Sequence, residues 1–208
     1  MPLAQGQVGV QVNNDGNNPT NLRMTKLAAL VVQELHGRYY EQAYRRNIYS
    51  AAALGQTTSV GAATTVVGLT LSNPIGSPVN LVLNKVGYSF IVAFAAGSVV
   101  GLQAGYSGST GVTHTTPVTP RSTLISTASA GIGLADSTCT VPVAPTLQLI
   151  FDSGLTGAIT TAPSGVQGLI DVEGSIIIAP GGYVSTYTST ASGAAGASFS
   201  FQWEETPV

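Results

Sequence analysis

The chain has 208 residues, of which only 8% are charged, and its net charge is −2. Ordinary soluble domains are about 25% charged. Arg45 and Arg46 form the one adjacent basic pair, which argues against nucleic acid as a direct partner because that function needs a clustered basic surface. A single cysteine, Cys139, excludes an internal disulfide and a cysteine-based metal cluster, and its threonine neighbours predict a buried, inert thiol in a strand.

The few charges are concentrated at the start of the chain. Residues 1–46 carry five basic and three acidic side chains, whereas residues 47–208 carry two basic and six acidic ones. A body so poor in charge either stays soluble through Ser, Thr, Asn and Gln or is covered by other protein, and a net charge near zero favours association. We therefore expect an assembly subunit that attaches through its charged first quarter.

Neither secretion nor membrane insertion is expected from the sequence. The first six residues lack the basic and apolar regions of a secretory signal. The apolar stretch 86–102 is interrupted by glycine and serine and is short for a bilayer span of about 20 residues, so two buried strands explain it better. Synthesis in a cytoplasm combined with the Thr/Ser/Gly-rich composition of an exterior protein fits a virus particle released by lysis.

An N-terminal helical arm is predicted after Thr20 or Asn21, either of which can cap a helix. From Leu22 onwards apolar residues recur at the spacing of one helix face, and Glu34 and Glu41 each lie four residues before an arginine. The apolar stripe could pack on the chain's own body or on another protein. Tyrosine and arginine are enriched at interface hot spots, which favours the second. The predicted interface residues are Leu27, Leu30, Val31, Leu35, Tyr39, Tyr40, Tyr44, Arg45 and Arg46.

A β-domain is predicted after the arm, which divides the chain into residues 1–50 and 51–208. Glycine- and proline-rich segments at 105–121 and 153–168 predict long surface loops, and Gly87 predicts a bulge between two strands. Strands are predicted at 64–72, 80–86, 88–94, 99–102, 138–143, 146–151, 169–178, 183–189 and 197–204.

The last of these strands is the clearest, because Phe199, Phe201 and Trp203 alternate with polar residues. About eight strands with no interleaved helices predict a mainly β fold. The expected architecture is an antiparallel, jelly-roll-like β-sandwich preceded by the helical arm.

No catalytic, cofactor-binding or metal-binding residue set is predicted, so the chain is not expected to be an enzyme. His36 and His114 are the two histidines, and neither has a sequence neighbour that would orient it as a base. The glycine-rich segment 105–111 lacks the lysine of a phosphate-binding loop.

The acidic residues of the body leave one enzymatic alternative open. Asp171 and Glu173 are two residues apart on a predicted strand, and with Glu204 or Glu205 they could hold a hard cation or serve a glycan hydrolase. A solvent-facing role is favoured, because no ligand-loop spacing supports a metal. Glu204 and Glu205 should point to opposite faces of the closing strand.

Three segments resemble a known group of proteins: Leu71-Ser72-Asn73-Pro74-Ile75-Gly76-Ser77-Pro78-Val79-Asn80-Leu81, residues 173–184 with Ala179-Pro180-Gly181-Gly182-Tyr183-Val184, and the closing Phe201-Gln202-Trp203-Glu204-Glu205-Thr206-Pro207-Val208. Together with the helical arm they resemble small virion structural proteins of tailed bacteriophages. The resemblance implies a β-sandwich subunit on the head exterior, a homotrimeric decoration (cement) protein whose partners are its own copies and the major capsid protein. It implies no set of functional residues.

Other functions remain open on the sequence alone. A head-fibre or tail-tip module would bind host glycans through the loops at 105–121 and 153–168, since jelly rolls also serve as lectins. The major shell protein is a poorer fit for a single small sandwich.

Overall fold

A computed structural model describes residues 6–7, 22–23, 37–94, 96–126, 130–154 and 166–208. The contacts within the chain divide it into two units, Met1–Glu41 and Gln42–Val208. In the first unit, β1 (Gly6–Gln7) pairs in parallel with β2 (Leu22–Arg23). The prediction of a helix at Leu22 is therefore wrong, because its backbone pairs with Gly6. The other aliphatic residues of the predicted stripe, Leu27, Leu30, Val31 and Leu35, lie outside the described residues.

The described part of the second unit is built from strands, introduced by the short helix α1 (Tyr40–Tyr44), which spans the boundary between the units. The strands are β3 (Ile48–Gln56), β4 (Thr65–Ser72), β5 (Val79–Phe90), β6 (Ser98–Tyr106), β7 (Thr113–Val118), β8 (Arg121–Ser122), β9 (Leu134–Thr140), β10 (Thr146–Gly154), β11 (Val166–Ile178), β12 (Gly182–Thr188) and β13 (Ala197–Pro207). They form a six-stranded sheet in the order β10-β6-β12-β4-β9-β7 and a five-stranded sheet in the order β11-β5-β13-β3-β8. Every pair within these two sheets is antiparallel. The predicted antiparallel β-sandwich is confirmed.

Eight of these strands have the jelly-roll arrangement. One sheet contains β3-β13-β5-β11 and the other β4-β12-β6-β10, so that each sheet takes strands from both halves of the chain. The chain changes sheet between successive members of the eight, except from β6 to β10. This two-sheet order of eight strands is that of a jelly roll. The segment β7–β9 is inserted between β6 and β10, and it extends the larger sheet through β9 and β7 and the smaller one through β8.

The core lies between the two sheets and is richest along β13. Phe199, Phe201 and Trp203 are buried, while Ser200 and Gln202 between them are half-buried on the other side of the strand. Phe90 meets Phe199 edge-on, with the ring centroids 5.9 Å apart. The half-buried closing strand that the sequence predicted is confirmed.

Two sequence predictions are wrong in this region. Residues 80–94 were predicted as two strands with a bulge at Gly87, yet β5 is continuous and its irregularity lies at Asn84, which has no partner on β11 or β13. Gly87 is fully paired, and a Cβ there would collide with Ser200 Oγ unless that hydroxyl moved. Segment 105–121 is predicted as a loop, but it contains β7 and the start of β8. β7 is an edge strand whose side chains are mostly exposed. It therefore lacks the alternation of apolar and polar residues that identifies a strand in a sequence.

Candidate interaction surfaces

The predicted interface residues that the structure describes lie on and next to α1. None of the five residues of this helix is buried, and the side chain of Tyr44 is 64% exposed. Tyr40, Arg45 and Arg46 are also exposed, whereas Tyr39 is half-buried with the Arg38 guanidinium 5.4 Å from its ring centroid. Two tyrosines and two arginines are therefore accessible within one short segment.

The segment ends in a defined turn that leads into β3. Arg46 has a positive φ of 62°, and its guanidinium donates a hydrogen bond to Ser126 Oγ at 3.3 Å. Asn47 follows, and both its backbone N and its Nδ2 donate to Gln42, each at 2.9 Å. The turn therefore fixes where α1 ends and the sheet begins.

A second surface is the outer side of the five-stranded sheet, which we call the neutral face. It forms a shallow depression of about 580 Å³. Leu54 and Leu169 border it and are 78% and 67% exposed. The outward residues of the neutral face are Ala52, Leu54, Gly87, Ser89, Gln167, Leu169, Ser198 and Ser200. None of the described residues that line the depression is charged, so this part of the sheet is exposed, apolar at its borders and electrically neutral.

A third surface is a cleft of about 510 Å³ at the side of the sandwich, where β6, β10 and β12 of one sheet approach β11 of the other. Ala104, Ile176 and Val184 form its apolar floor, and Tyr106 and Gln148 are exposed at its rim. The described lining of this cleft also lacks a charged side chain. An apolar floor with a neutral polar rim is suited to an uncharged ligand.

A close polar contact joins His114 of β7 to Asp136 of β9. Nδ1 of the histidine lies 2.6 Å from Oδ2 of the aspartate, which is completely buried, whereas the histidine side chain is 33% exposed. The second carboxylate oxygen of Asp136 is buried without a hydrogen-bond partner among the described residues. Sequence reasoning placed His114 in a loop and missed this pair.

This pair does not form a catalytic site with the nearby cysteine. Cys139 is fully buried, and burial, with a smaller contribution from the charge of Asp136, raises the pKa of its thiol to about 11. The thiol is therefore protonated and inaccessible in neutral solution, as an inert core residue would be. We interpret the histidine–aspartate pair as a clamp that holds the edge strand β7 onto β9.

Replacing His114 with alanine should lower the free energy of unfolding by about 1–3 kcal/mol, because the buried carboxylate of Asp136 would lose its partner. Urea denaturation of H114A, D136N and the double variant measures the coupling between the two side chains. T115A is the matched control, since Thr115 is an exposed neighbour on the same strand. If H114A and T115A are equally stable, the clamp contributes nothing.

The acidic residues do not converge on one site. Asp171 and Glu173 are exposed in an irregular part of β11, where Asp171 Oδ1 accepts a hydrogen bond from the backbone N of Glu173, whose φ is 51°. Glu204 is half-buried, and this burial raises the pKa of its carboxyl group. Over the described part of the chain, no three His, Cys, Asp or Glu residues are placed to hold a metal ion.

Glu205 points to the opposite side of β13 from Glu204, as predicted, and is buried. Its Oε1 accepts hydrogen bonds from the backbone N of Ile132 at 2.8 Å and of Gly133 at 2.9 Å, and from Trp203 Nε1 at 3.3 Å. Its Oε2 also accepts from Ile132 N at 3.0 Å. The carboxylate is thus a structural anchor for residues 131–133.

The chain matches no protein-family model, no curated protein and no solved structure. Among the residues described, no helix has the length and apolar character to cross a membrane.

Proposed function

We propose that the chain is a virion structural protein, a decoration subunit that binds the exterior of a tailed-phage head and stabilises the joints between capsomers. The observation that carries this proposal is that the exterior of the jelly roll has two uncharged, partly apolar depressions of about 580 and 510 Å³. Jelly rolls are common among viral capsid domains. Surfaces of this kind are typical of proteins that work in contact with other protein.

The proposed mechanism is mechanical. Each subunit bridges neighbouring capsomers and buries apolar area worth about 25 cal/mol per Å². Repetition over the symmetric shell then multiplies a modest contact into firm attachment. The partners are further copies of the chain, as a trimer by resemblance, and the major capsid protein. We assign the protein to the capsid exterior after synthesis in the host cytoplasm, with no cofactor, nucleic acid or membrane in the mechanism.

A head-fibre or tail-tip module that binds host glycans is the second candidate, and the side cleft favours it. Tyr106 is exposed beside Gln148 and Thr146, so an aromatic ring, an amide and a hydroxyl surround an apolar floor. Such a cleft could receive a neutral sugar. Copy number separates the two candidates: a decoration protein covers the head in many copies, whereas a fibre or tip protein is present in few.

Mass spectrometry of purified particles with copy-number determination tests the proposal. A decoration role predicts that the protein copurifies with heads in proportion to the capsomers. Recovery from soluble cell extract alone, with none on particles, would contradict every virion role.

The segment around α1 should be required for attachment. Replacing Tyr40 and Tyr44 together with alanine in the full-length chain should weaken binding to heads at least tenfold, since exposed interface tyrosines are often hot spots. Cosedimentation of purified protein with undecorated heads measures the effect. Y106A is the matched control, because Tyr106 is 63% exposed, close to the 64% of Tyr44, but lies on the side cleft. If only Y106A weakens binding, attachment does not use α1.

A further inference from the structure

The positive charge of the second unit is concentrated at one edge of the five-stranded sheet. Arg45 and Arg46 follow α1, and Arg121 begins β8, the edge strand that pairs with β3. All three arginines are exposed. The second unit has four basic residues, so only Lys85 lies elsewhere. We call the three arginines, together with Ile125, the basic edge.

Backbone and side-chain contacts hold the parts of the basic edge together. The chain after β8 runs beside the residues that follow α1, because Thr123 N donates to Ile48 O at 3.0 Å and Arg46 Nη2 donates to Ser126 Oγ at 3.3 Å. Ile125 precedes Ser126 and is 92% exposed, the largest exposed fraction among the large apolar side chains that the structure describes. The basic edge therefore offers a projecting aliphatic side chain among cationic ones.

The opposite edge of the same sheet is acidic. Asp171 and Glu173 are exposed on its edge strand β11. Asp152 lies on β10, the edge strand of the other sheet, which lines the side cleft together with β11. Lys85 pairs in register with Asp171 and offsets one of the three carboxylates. This acidic edge also carries exposed apolar side chains, which are Ile150, Leu169 and Ile177.

The two edges cannot neutralise each other within one copy. Three strands separate β8 from β11, so four spacings of about 4.8 Å place the edges about 19 Å apart along the sheet. Exposed charges at that distance are screened, since the Debye length at physiological ionic strength is about 8 Å. Three arginines against Glu41 of α1 leave the basic edge with a formal charge of +2, and three carboxylates against Lys85 leave the acidic edge with −2.

The acidic edge is suited to side-chain contact and not to extension of the sheet. Between Asp171 and Ile176 the register is irregular, because five residue steps along β11 correspond to two along β5. Glu173 lies inside this bulge with a φ of 51°, so its backbone is not extended. Bulges and charged residues on an edge strand prevent another strand from pairing with it. The partner of this edge must therefore meet its side chains, and a basic surface complements their charge.

We propose that copies of this chain join head to tail, with the basic edge of one copy packed on the acidic edge of the next. Opposite charges then meet across the contact, and Ile125 packs against the exposed aliphatic side chains of the acidic edge. Contact between two like edges would bring like charges together, which is unfavourable. Because the two edges lie on opposite sides of the sheet, one partner cannot cover both. The contact therefore closes into a ring of at least three copies.

The inference rests on the proposed function and deepens it, because it names the two surfaces that join copies in the proposed trimer. The molecular mass in solution should be three times 21.1 kDa. Since exposed charges are screened by salt, the trimer should dissociate more readily at about 0.5 M salt than at low ionic strength.

Sedimentation equilibrium of the full-length protein at about 0.1 mM and low ionic strength tests the ring, since weak contacts are occupied at that concentration. Reversing the basic edge with R45E/R46E/R121E should weaken association at least tenfold, and so should reversing the acidic edge with D171K/E173K. Combining both sets of substitutions in one chain places opposite charges at every contact again and should restore the trimer. All five positions are exposed, and circular dichroism checks that each variant is folded.

Ile125 tests the apolar part of the same contact. I125D should also weaken association at least tenfold, because it removes the projecting aliphatic side chain and adds a negative charge beside the arginines. V60D is the matched control, since Val60 is 57% exposed in the connection between β3 and β4. Equal effects of I125D and V60D would contradict a specific role of Ile125.

A wild-type mass of a monomer or a dimer would overturn the inference, and so would a trimer that neither charge reversal weakens. A combined variant that is folded but stays monomeric would also overturn it. Binding to heads is measured separately. Protein that decorates heads but forms no ring refutes the head-to-tail contact alone, whereas protein that forms the ring but is found on no particle refutes the virion role alone.

Discussion

Replacing Trp203 with alanine should lower the free energy of unfolding by about 3–5 kcal/mol. The indole is completely buried in the central strand of the five-stranded sheet and stacks on Tyr49, with the ring centroids 6.2 Å apart. Its Nε1 also donates to Glu205. Truncation would leave a cavity among close-packed residues and remove a hydrogen bond at once, and native stabilities are only about 5–15 kcal/mol.

Thermal and urea unfolding of W203A measure the loss. For a unit of this size the melting temperature should fall by about 6–20 °C. Q202A is the matched control, because Gln202 is the preceding residue of the same strand and points to the other side of the sheet. A loss below about 1 kcal/mol in W203A would show that the core does not depend on this side chain.

Residue alternation made the β-sandwich predictable. β13 alternates buried aromatic residues with polar ones, and β4 and β12 are rich in β-branched residues, so each produces a local signal. The turn at 179–182 was also visible, because proline and glycine mark it in any context. Features that a single segment specifies were therefore recovered.

β3 was not identified as a strand because alanines occupy two of its inner positions. Ala51 and Ala53 pair with Phe201 and Phe199 of β13, so a small residue lies beside each large ring. Alanine has low β propensity, but at these positions its small side chain leaves space for the aromatic rings of the partner strand. That partner is about 150 residues away in the chain, so no local pattern reveals it.

The candidate interaction surfaces were equally hidden in the sequence. The neutral face joins residues 52, 87, 169 and 200, which only the register of four strands brings into one row. His114 of β7 contacts Asp136 of β9, which lies 22 residues further along the chain. A sequence reveals that a body is poor in charge, but the fold decides which uncharged residues become neighbours.

Replacing Glu205 with glutamine should destabilise the protein by about 1.5–3 kcal/mol, the range for hydrogen bonds to a charged group. Glutamine has nearly the same size, but its amide nitrogen cannot accept a hydrogen bond. Ile132 N, which reaches both carboxylate oxygens, would lose one acceptor, and the remaining oxygen would accept from Ile132 N, Gly133 N and Trp203 Nε1 without the negative charge. E205A should cost more, because all three donors would be left buried without this acceptor.

The residues at which E205Q loses protection from hydrogen exchange identify the role of the Glu205 carboxylate. Because Glu205 anchors residues 131–133, hydrogen exchange at Ile132 and Gly133 should accelerate in E205Q more than exchange along β13 itself. The double variant W203A/E205Q should lose about 0.5–3 kcal/mol less than the sum of the single variants, since the two side chains share a hydrogen bond. E204Q is the matched control on the opposite side of the strand, and its stability should stay within about 0.5 kcal/mol of the wild type. Equal effects of E204Q and E205Q would mean that the carboxylate is not the anchor of this loop.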